Sequence, residues 1–437
     1  MALRDILLTV LLVGGLPAAL RWPFVGFCVY AWLGLMNPHR LSWSFAYDMP
    51  WAQVYGVTAL LSLAWERERQ LGLAIGRFGL VIAYLLWMAV TTVFALEPDR
   101  AQLRIVEVFK IYLMAIATLA VLTTERRIHA FLAVAVLSVA FFGIKGGVFT
   151  LATGGSFRVW GPPGSVIEDN NQLAVALTMT VPLMVWLARV DTRRWVRLGL
   201  YGAIALVVAS ILGSHSRGAL VAIVAMSAFL VLKSERKLLF GFVFAFGAGL
   251  AAMLMPDHFW ERMSSIRRYE QDASVQGRLN AWQTAIRIAD DRPTGGGFDY
   301  TGVRSFAAWA PDPANVKSSH SIYFQSLGEH GWPGLAMFLG FWLLTWLACR
   351  RALRYWRKDP GRTHLASLAA MLQVSLVGYL AGGAFVNIGY WDFPFYLAAI
   401  AFALVALGAR EPVRAAAPGA RAVPLTRPIA RGLHATR

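Results

Sequence analysis

The sequence predicts an all-α fold, a polytopic membrane helical bundle of about 12 transmembrane helices with a long helical loop on one face. Three observations carry that expectation. Hydrophobic residues make up 57% of the chain and charged ones only 15%, where soluble domains average about 25% charged. Apolar runs of about 16–24 residues recur along almost its whole length, each able to cross a hydrocarbon core of about 30 Å as a helix. Short basic stretches separate the runs. A helix satisfies its own backbone hydrogen bonds in lipid. A β-barrel would need short alternating segments, which the sequence lacks.

The basic stretches set the order of the elements. They are "WERERQ" (65–70), "TTERRIH" (123–129), "RVDTRRWVR" (189–197), "KSERK" (233–237) and "CRRALRYWRKDPGRTH" (349–364). Lys and Arg mark cytoplasmic loops, and placing all five stretches inside is self-consistent. Spans then fall near 50–65, 72–95, 104–122, 130–151, 170–189, 197–213, 218–232, 238–255, 321–348, 364–386 and 391–408. Residues 5–36 are two short apolar pieces split at Arg21–Pro23, counted as one broken crossing with the N-terminus inside; two full crossings, which the sequence leaves open, would put it outside. The start resembles a signal peptide; with no soluble domain after it, it reads as a retained span.

Four regions follow. Residues 1–255 form an N-terminal transmembrane bundle and 256–319 an external loop that caps it. Residues 320–408 form the C-terminal transmembrane helices, and 409–437 a basic, disordered cytoplasmic tail that lies on anionic headgroups. In the loop, apolar residues at Leu279, Trp282, Ala285 and Ile286 predict a helix.

The net charge is +17, from 41 Lys+Arg against 24 Asp+Glu. In a soluble chain this would point to nucleic acid; here it follows from topology, and no nucleic-acid partner is expected. The two cysteines, Cys28 and Cys349, lie in or beside apolar spans, so neither a disulfide nor a zinc site is expected. No cofactor is implied, and no Asp-x-Asp pair or His/Cys cluster suggests a metal.

Candidate chemistry gathers on the external side. Arg158 lies in "FRVWGPPGSVIEDNNQLA", Arg217 in "SHSRGAL", Arg278 in "GRLNAW", and His320 in "SSHSIYFQSLGEHGWPGLAMF". External arginines run against the positive-inside bias. Each holds an anion bidentately, snorkels to headgroups, or pairs with an acid; the residues alone leave these open. His320 is either a general base near neutral pH or a passive interfacial residue. His330, ten residues on, lies roughly 15 Å further along a helix and reads as structural. The glycine run "TGGGF" (294–298) lacks the setting of a phosphate loop and reads as a tight turn. Lys110 and Lys145, inside apolar spans, have no assigned role.

The order of these motifs carries a resemblance. Arg158, Gly161 and Asn170/Asn171 come first, then "SRGA", then "GR…W". Pro293 with the glycine run follows, then His320 with "Y-F-Q" and a G-x-x-G at Gly331–Gly334. This pattern resembles the O-antigen ligase superfamily, which includes lipopolysaccharide O-antigen ligases, O-antigen polymerases and protein O-glycosylation ligases. The N-terminal part is similar to exosortase-associated O-glycosylation ligases. One departure is Ser321, where many relatives carry Asn.

The resemblance implies a multi-pass bacterial inner-membrane enzyme whose site faces the periplasm, with 256–319 as a periplasmic loop. It implies a glycan donor on undecaprenyl diphosphate and an acceptor hydroxyl on lipid A core, on another glycan or on a protein. His320 takes the place of the family's essential histidine; Arg217, Arg278 and, more loosely, Arg158 take those of the diphosphate-binding arginines. The expected reaction is an inverting, metal-independent glycosyl transfer. A different class, a transporter or flippase of lipid-linked sugar, would place its charges near the midplane.

Overall fold

The computed structural model describes residues 3–67, 69–233 and 273–410, and residue 249. Within them the chain is all-α and multi-pass. Its helices are α1 (Leu3–Arg21), α2 (Pro23–Met36), α3 (Trp51–Ser62), α4 (Leu71–Arg77), α5 (Gly79–Val93), α6 (Pro98–Val121), α7 (Glu125–Ala152) and α8 (Asn170–Val190). These are followed by α9 (Arg194–Gly213), α10 (Arg217–Lys233), α11 (Ala273–Asp291), α12 (Val303–Trp309), α13 (Ile322–Trp356), α14 (Thr363–Gly383) and α15 (Asp392–Arg410). The core is one large apolar cluster with smaller ones beside it, and α15 is buried along nearly its entire length. The expected span 238–255, the start of the loop (256–272) and the tail from 411 lie outside the described residues.

The boundaries follow local chemistry. Thr124 caps α7 by accepting from Arg127 N–H, and Asp169 caps α8 by accepting from Asn171 N–H, each satisfying a donor that a helix start leaves orphaned. Pro98 opens α6, where its missing N–H costs nothing. Cys28 and Cys349 are free thiols.

The expected count of about 12 transmembrane helices is not met. Among the described residues seven helices are long and apolar enough to cross a membrane, or eight if α4 and α5, bent by 65° at Phe78, make one span. Among the described residues helices lie where the sequence puts the apolar runs, but several fail as full spans. α2 and α3 have 14 and 12 residues, and α10 has 17 up to Lys233, where the described residues stop. α6 is long but carries Asp99, Arg100, Arg104, Glu107 and Lys110. Hydrophobic runs seen in sequence merge with flanking turns, whereas a helix ends where its backbone pattern ends.

Two further corrections concern the face read in the sequence as external. The described part of 256–319 is not a distinct helical loop. α11 packs along α13: Ala285, Ile288 and Tyr300 share a cluster with Trp309 and Phe324. α12 has only seven residues, and the rest is turn and extended chain. Residues 5–36 do not form one broken crossing either. α1 and α2 run out and back, because Asp5 Oδ1 accepts from Ser44 N–H (3.1 Å) and Ala46 N–H (3.2 Å), just beyond the end of α2. Arg40 then reaches Gly164 O at 2.8 Å, so the start of α1 shares a face with the loop before α8.

This arrangement makes a labelling prediction. In a variant lacking Cys28 and Cys349, cysteines at the exposed positions Asp48 and Ala314 should react together with an impermeant thiol reagent added to one side of the membrane. Thr363→Cys should react only from the other side. Co-labelling of positions 48 and 363 would contradict the α1–α2 hairpin.

Candidate active site

The site face is organised by a break in α13. Gly331 leaves the helix (φ 67°, ψ −173°) and Pro333 follows it. Pro333 has no N–H for the carbonyl of Glu329 four residues earlier. The glycine run supplies the missing donors: Gly296 N–H donates to Gly328 O and Gly297 N–H to Glu329 O, each at 2.8 Å. Trp87 Nε1–H takes the His330 carbonyl at 2.8 Å. Gly295 and Gly297 have φ of 64° and 77°, so "TGGGF" is a docking turn seated on the break. A Cβ on Gly331 would lie 2.2 Å from Pro293 O.

That docking fixes the C-terminal end of α11, and α11 carries Arg278. Along its length Asn280 grips the segment leading to His320. Asn280 Nδ2 donates to Asp312 O (2.8 Å) and Asn315 O (3.0 Å), and Asn280 Oδ1 accepts from Asp312 N–H (2.9 Å). Two residues on, Trp282 stacks on Phe324 with ring centroids 4.7 Å apart, and its Nε1–H donates to Ser319 O at 2.7 Å.

His320 itself lies in the left-handed region, φ 43°. For a non-glycine residue this conformation costs about 1–2 kcal/mol and persists only where its surroundings hold it. Its neighbours Ser319 and Ser321 are buried, while the imidazole is half-buried. Burial lowers the imidazole pKa from its ordinary value; the positive charge of Arg278 lowers it further, Asp169 opposes the shift, and Lys317 adds to it. The neutral, proton-accepting form therefore persists to lower pH than in a free imidazole.

The N-terminal half completes the face. Asn170 Nδ2 donates to Ser214 O at 2.7 Å, joining the start of α8 to the turn before Arg217. His215, also left-handed at φ 53°, donates from Nε2 to Gly155 O at 3.0 Å. Ser216 Oγ caps α10 by accepting from Ala219 N–H at 3.2 Å. Half-buried Arg217 thus opens a helix whose orphan N–H groups already make this end positive. Arg158 is exposed on the α7–α8 loop, beside Val159, whose N–H donates to Gly213 O at 3.0 Å. Gly161 permits that loop's fold, since a Cβ there would meet Ile167 O at 1.7 Å.

The structure thus brings His320, Arg278 and Asp169 within electrostatic reach and sets Arg217 on the same face, with Arg158 further out on the loop. Asp169 and Asn387 escaped the sequence reading. Asp169 stood beside the noted asparagines as a helix cap. Asn387 is a lone polar residue in the apolar run "FVNIGYW". His330 is fully buried; Nδ1 lies 2.7 Å from Thr91 Oγ1, and Phe298, Tyr84 and Tyr390 surround the ring. Its Nε2 lies 3.8 Å from the buried Glu329 carboxylate.

An all-α, multi-pass bundle with an imidazole and guanidinium groups on one face has the make-up of a membrane-embedded transferase. Residues 201–339 match the O-antigen ligase family, and that match supports a place in the O-antigen ligase superfamily and an enzymatic, ligase-type role. That stretch contains Arg217, Arg278 and His320. Residues 3–192 match a family of unknown function, DUF5935. No curated protein matches the chain.

The packing of His330 predicts a structural variant. His330→Gln should lower the thermal midpoint, since removing a buried hydrogen-bonded group typically costs about 1–3 kcal/mol. The folded fraction should keep the transfer rate of the parent. A collapse of rate at unchanged stability would give His330 a role in chemistry.

Proposed function

We propose that the protein is an O-antigen ligase-type glycosyltransferase of the bacterial inner membrane, acting at the periplasmic face. It takes a glycan from undecaprenyl diphosphate and joins it to a hydroxyl of the lipid A core. The observation that carries this reading is His320, held in a left-handed conformation beside Arg278 and Asp169, with Arg217 on the same face. The acceptor hydroxyl attacks the anomeric carbon on the side opposite the diphosphate. A new C–O bond forms, the anomeric C–O bond to phosphate breaks, and configuration inverts. His320 takes the hydroxyl proton, and the bonding electrons leave with undecaprenyl diphosphate.

Arg217 and Arg278 hold the departing charge, with Arg158 at the rim. Preorganised charge of this kind is commonly the largest catalytic term, and two or three guanidinium groups supply it without a divalent ion. The end of α10 reinforces Arg217, because a helix N-terminus favours anions. A transporter would need its charges near the midplane between broken helices; here the candidate residues sit at one face.

With purified protein and an undecaprenyl-diphosphate-linked glycan, His320→Ala should cut single-turnover transfer by about 10²–10⁴-fold while donor binding persists. Arg217→Ala and Arg278→Ala should weaken donor binding as well, and Lys at either position should rescue only in part, because an ammonium lacks the bidentate fork. The parent should work in excess EDTA. Normal transfer by His320→Ala would sink this reading.

The same reaction has a signed pH dependence. The His320 pKa lies below the ordinary imidazole value, so the rate should rise through a pH below that value and be flat by neutrality. An acid limb at or above the ordinary imidazole range would show that the titrating base is another group.

A further inference from the structure

The connection between α14 and α15 carries a side chain aimed at the base. Asn387 Oδ1 accepts from Ser321 N–H at 3.0 Å and from Ser319 Oγ–H at 3.2 Å, and Asn387 Nδ2 donates to Ser318 Oγ. One amide therefore joins the residues on both sides of His320 and the one before them. A backbone N–H can only donate, so Ser321 settles which end of the amide faces it.

The amide is itself fixed. Gly389, two residues on, would put a Cβ 3.2 Å from Gln325 Oε1 of α13. Tyr379 Oη–H donates to Ile388 O at 3.4 Å, and Gln172 Nε2–H of α8 lies 3.5 Å from Asn387 O. From the other side, Trp282 of α11 holds Ser319 O. His320 thus sits in a strained conformation between a clamp from α11 and a clamp from the α14–α15 connection.

We infer that Asn387 is a positioning residue for His320: its side-chain amide, hydrogen-bonded to Ser318, Ser319 and Ser321, sets the left-handed backbone that aims the imidazole at the acceptor hydroxyl. The inference rests on the proposed role of His320. Asn387 lies outside the stretch matched to the O-antigen ligase family.

The clamp has a readout beyond activity. The charged groups that face His320 are Arg278 of α11, Asp169 at the start of α8 and Lys317 of its own segment; residues 384–391 contain no charged residue. Releasing the segment exposes the ring to water and moves it away from Arg278. Both changes favour the protonated form, so the imidazole should titrate at higher pH.

The test uses the full-length protein in detergent. Reaction of His320 with diethyl pyrocarbonate, followed by mass spectrometry across pH, reports the neutral imidazole without any substrate. Transfer is measured with an undecaprenyl-diphosphate-linked glycan. Asn387→Ala should move the His320 titration upward and lower the single-turnover rate by about 10–100-fold, the scale of a misplaced catalytic group, with donor binding retained. Asn387→Gln, which keeps the amide but shifts it by one methylene, should fold and show the same losses. Asn387→Asp, which keeps both accepting interactions, should recover most of the rate. His320→Ala without transfer, together with parental rate and titration in Asn387→Ala and Asn387→Gln, would overturn the inference and leave the proposed function standing. Parental transfer by His320→Ala would overturn the proposed function itself.

Discussion

The break in α13 at Gly331 and Pro333 is the constraint on which the face carrying the candidate site depends. A proline in a membrane helix strips a carbonyl of its partner, and lipid offers no replacement. This chain meets the debt with backbone N–H groups from Gly296 and Gly297 and with the indole of Trp87. The consequence reaches far beyond the kink. The donors belong to the turn that ends α11, so satisfying the break fixes α11 against α13. α11 then places Arg278 and, through Asn280 and Trp282, grips the segment that carries His320. Glycine is needed in that turn for two reasons. Two of its residues take positive φ, and its backbone passes close to that of α13.

The electrostatic design follows from the same scaffold. A base beside cations is a weak base, yet the proposed diphosphate leaving group would need cations. Asp169 moderates the conflict. Its carboxylate faces His320 and opposes the effect of Arg278, while its other duty, capping α8, holds it in place. The caps on α8 and α10 and the Asn170–Ser214 contact make the placement of Asp169 and Arg217 a by-product of starting two helices correctly. The proposed function uses groups that local folding already orders.

The sequence made much of this legible. Apolar runs and basic punctuation located the helices closely: the expected 170–189 is Asn170–Val190, and 364–386 is Thr363–Gly383. The count failed because hydropathy does not see where a helix stops or bends. Phe78 interrupts 72–95 with a 65° turn, and nothing in "GRFGL" announces it. The direction of α1 and α2 was hidden for another reason. It depends on Asp5 meeting backbone groups about 40 residues away, a contact with no local signature. The arginines and His320 stood out because charge on the side the sequence reads as external is unusual. Asn387 and Asp169 did not, because a single polar residue beside an apolar run looks like any turn residue until its partners are seen.

The matched segments show why a short motif could not have told the whole site. Asp169 and Arg158 come from the stretch related to a family of unknown function, Arg217, Arg278 and His320 from the O-antigen ligase stretch, and Asn387 from beyond both. The interactions that join them are mostly contacts of side chains with backbone: Asn170 to Ser214 O, Trp282 to Ser319 O, Asn387 to Ser321 N–H. Such contacts place few demands on the residue whose backbone is used. The identity of residue 321 therefore matters little to the anchor, because the group that Asn387 holds is the peptide N–H, which every residue except proline provides.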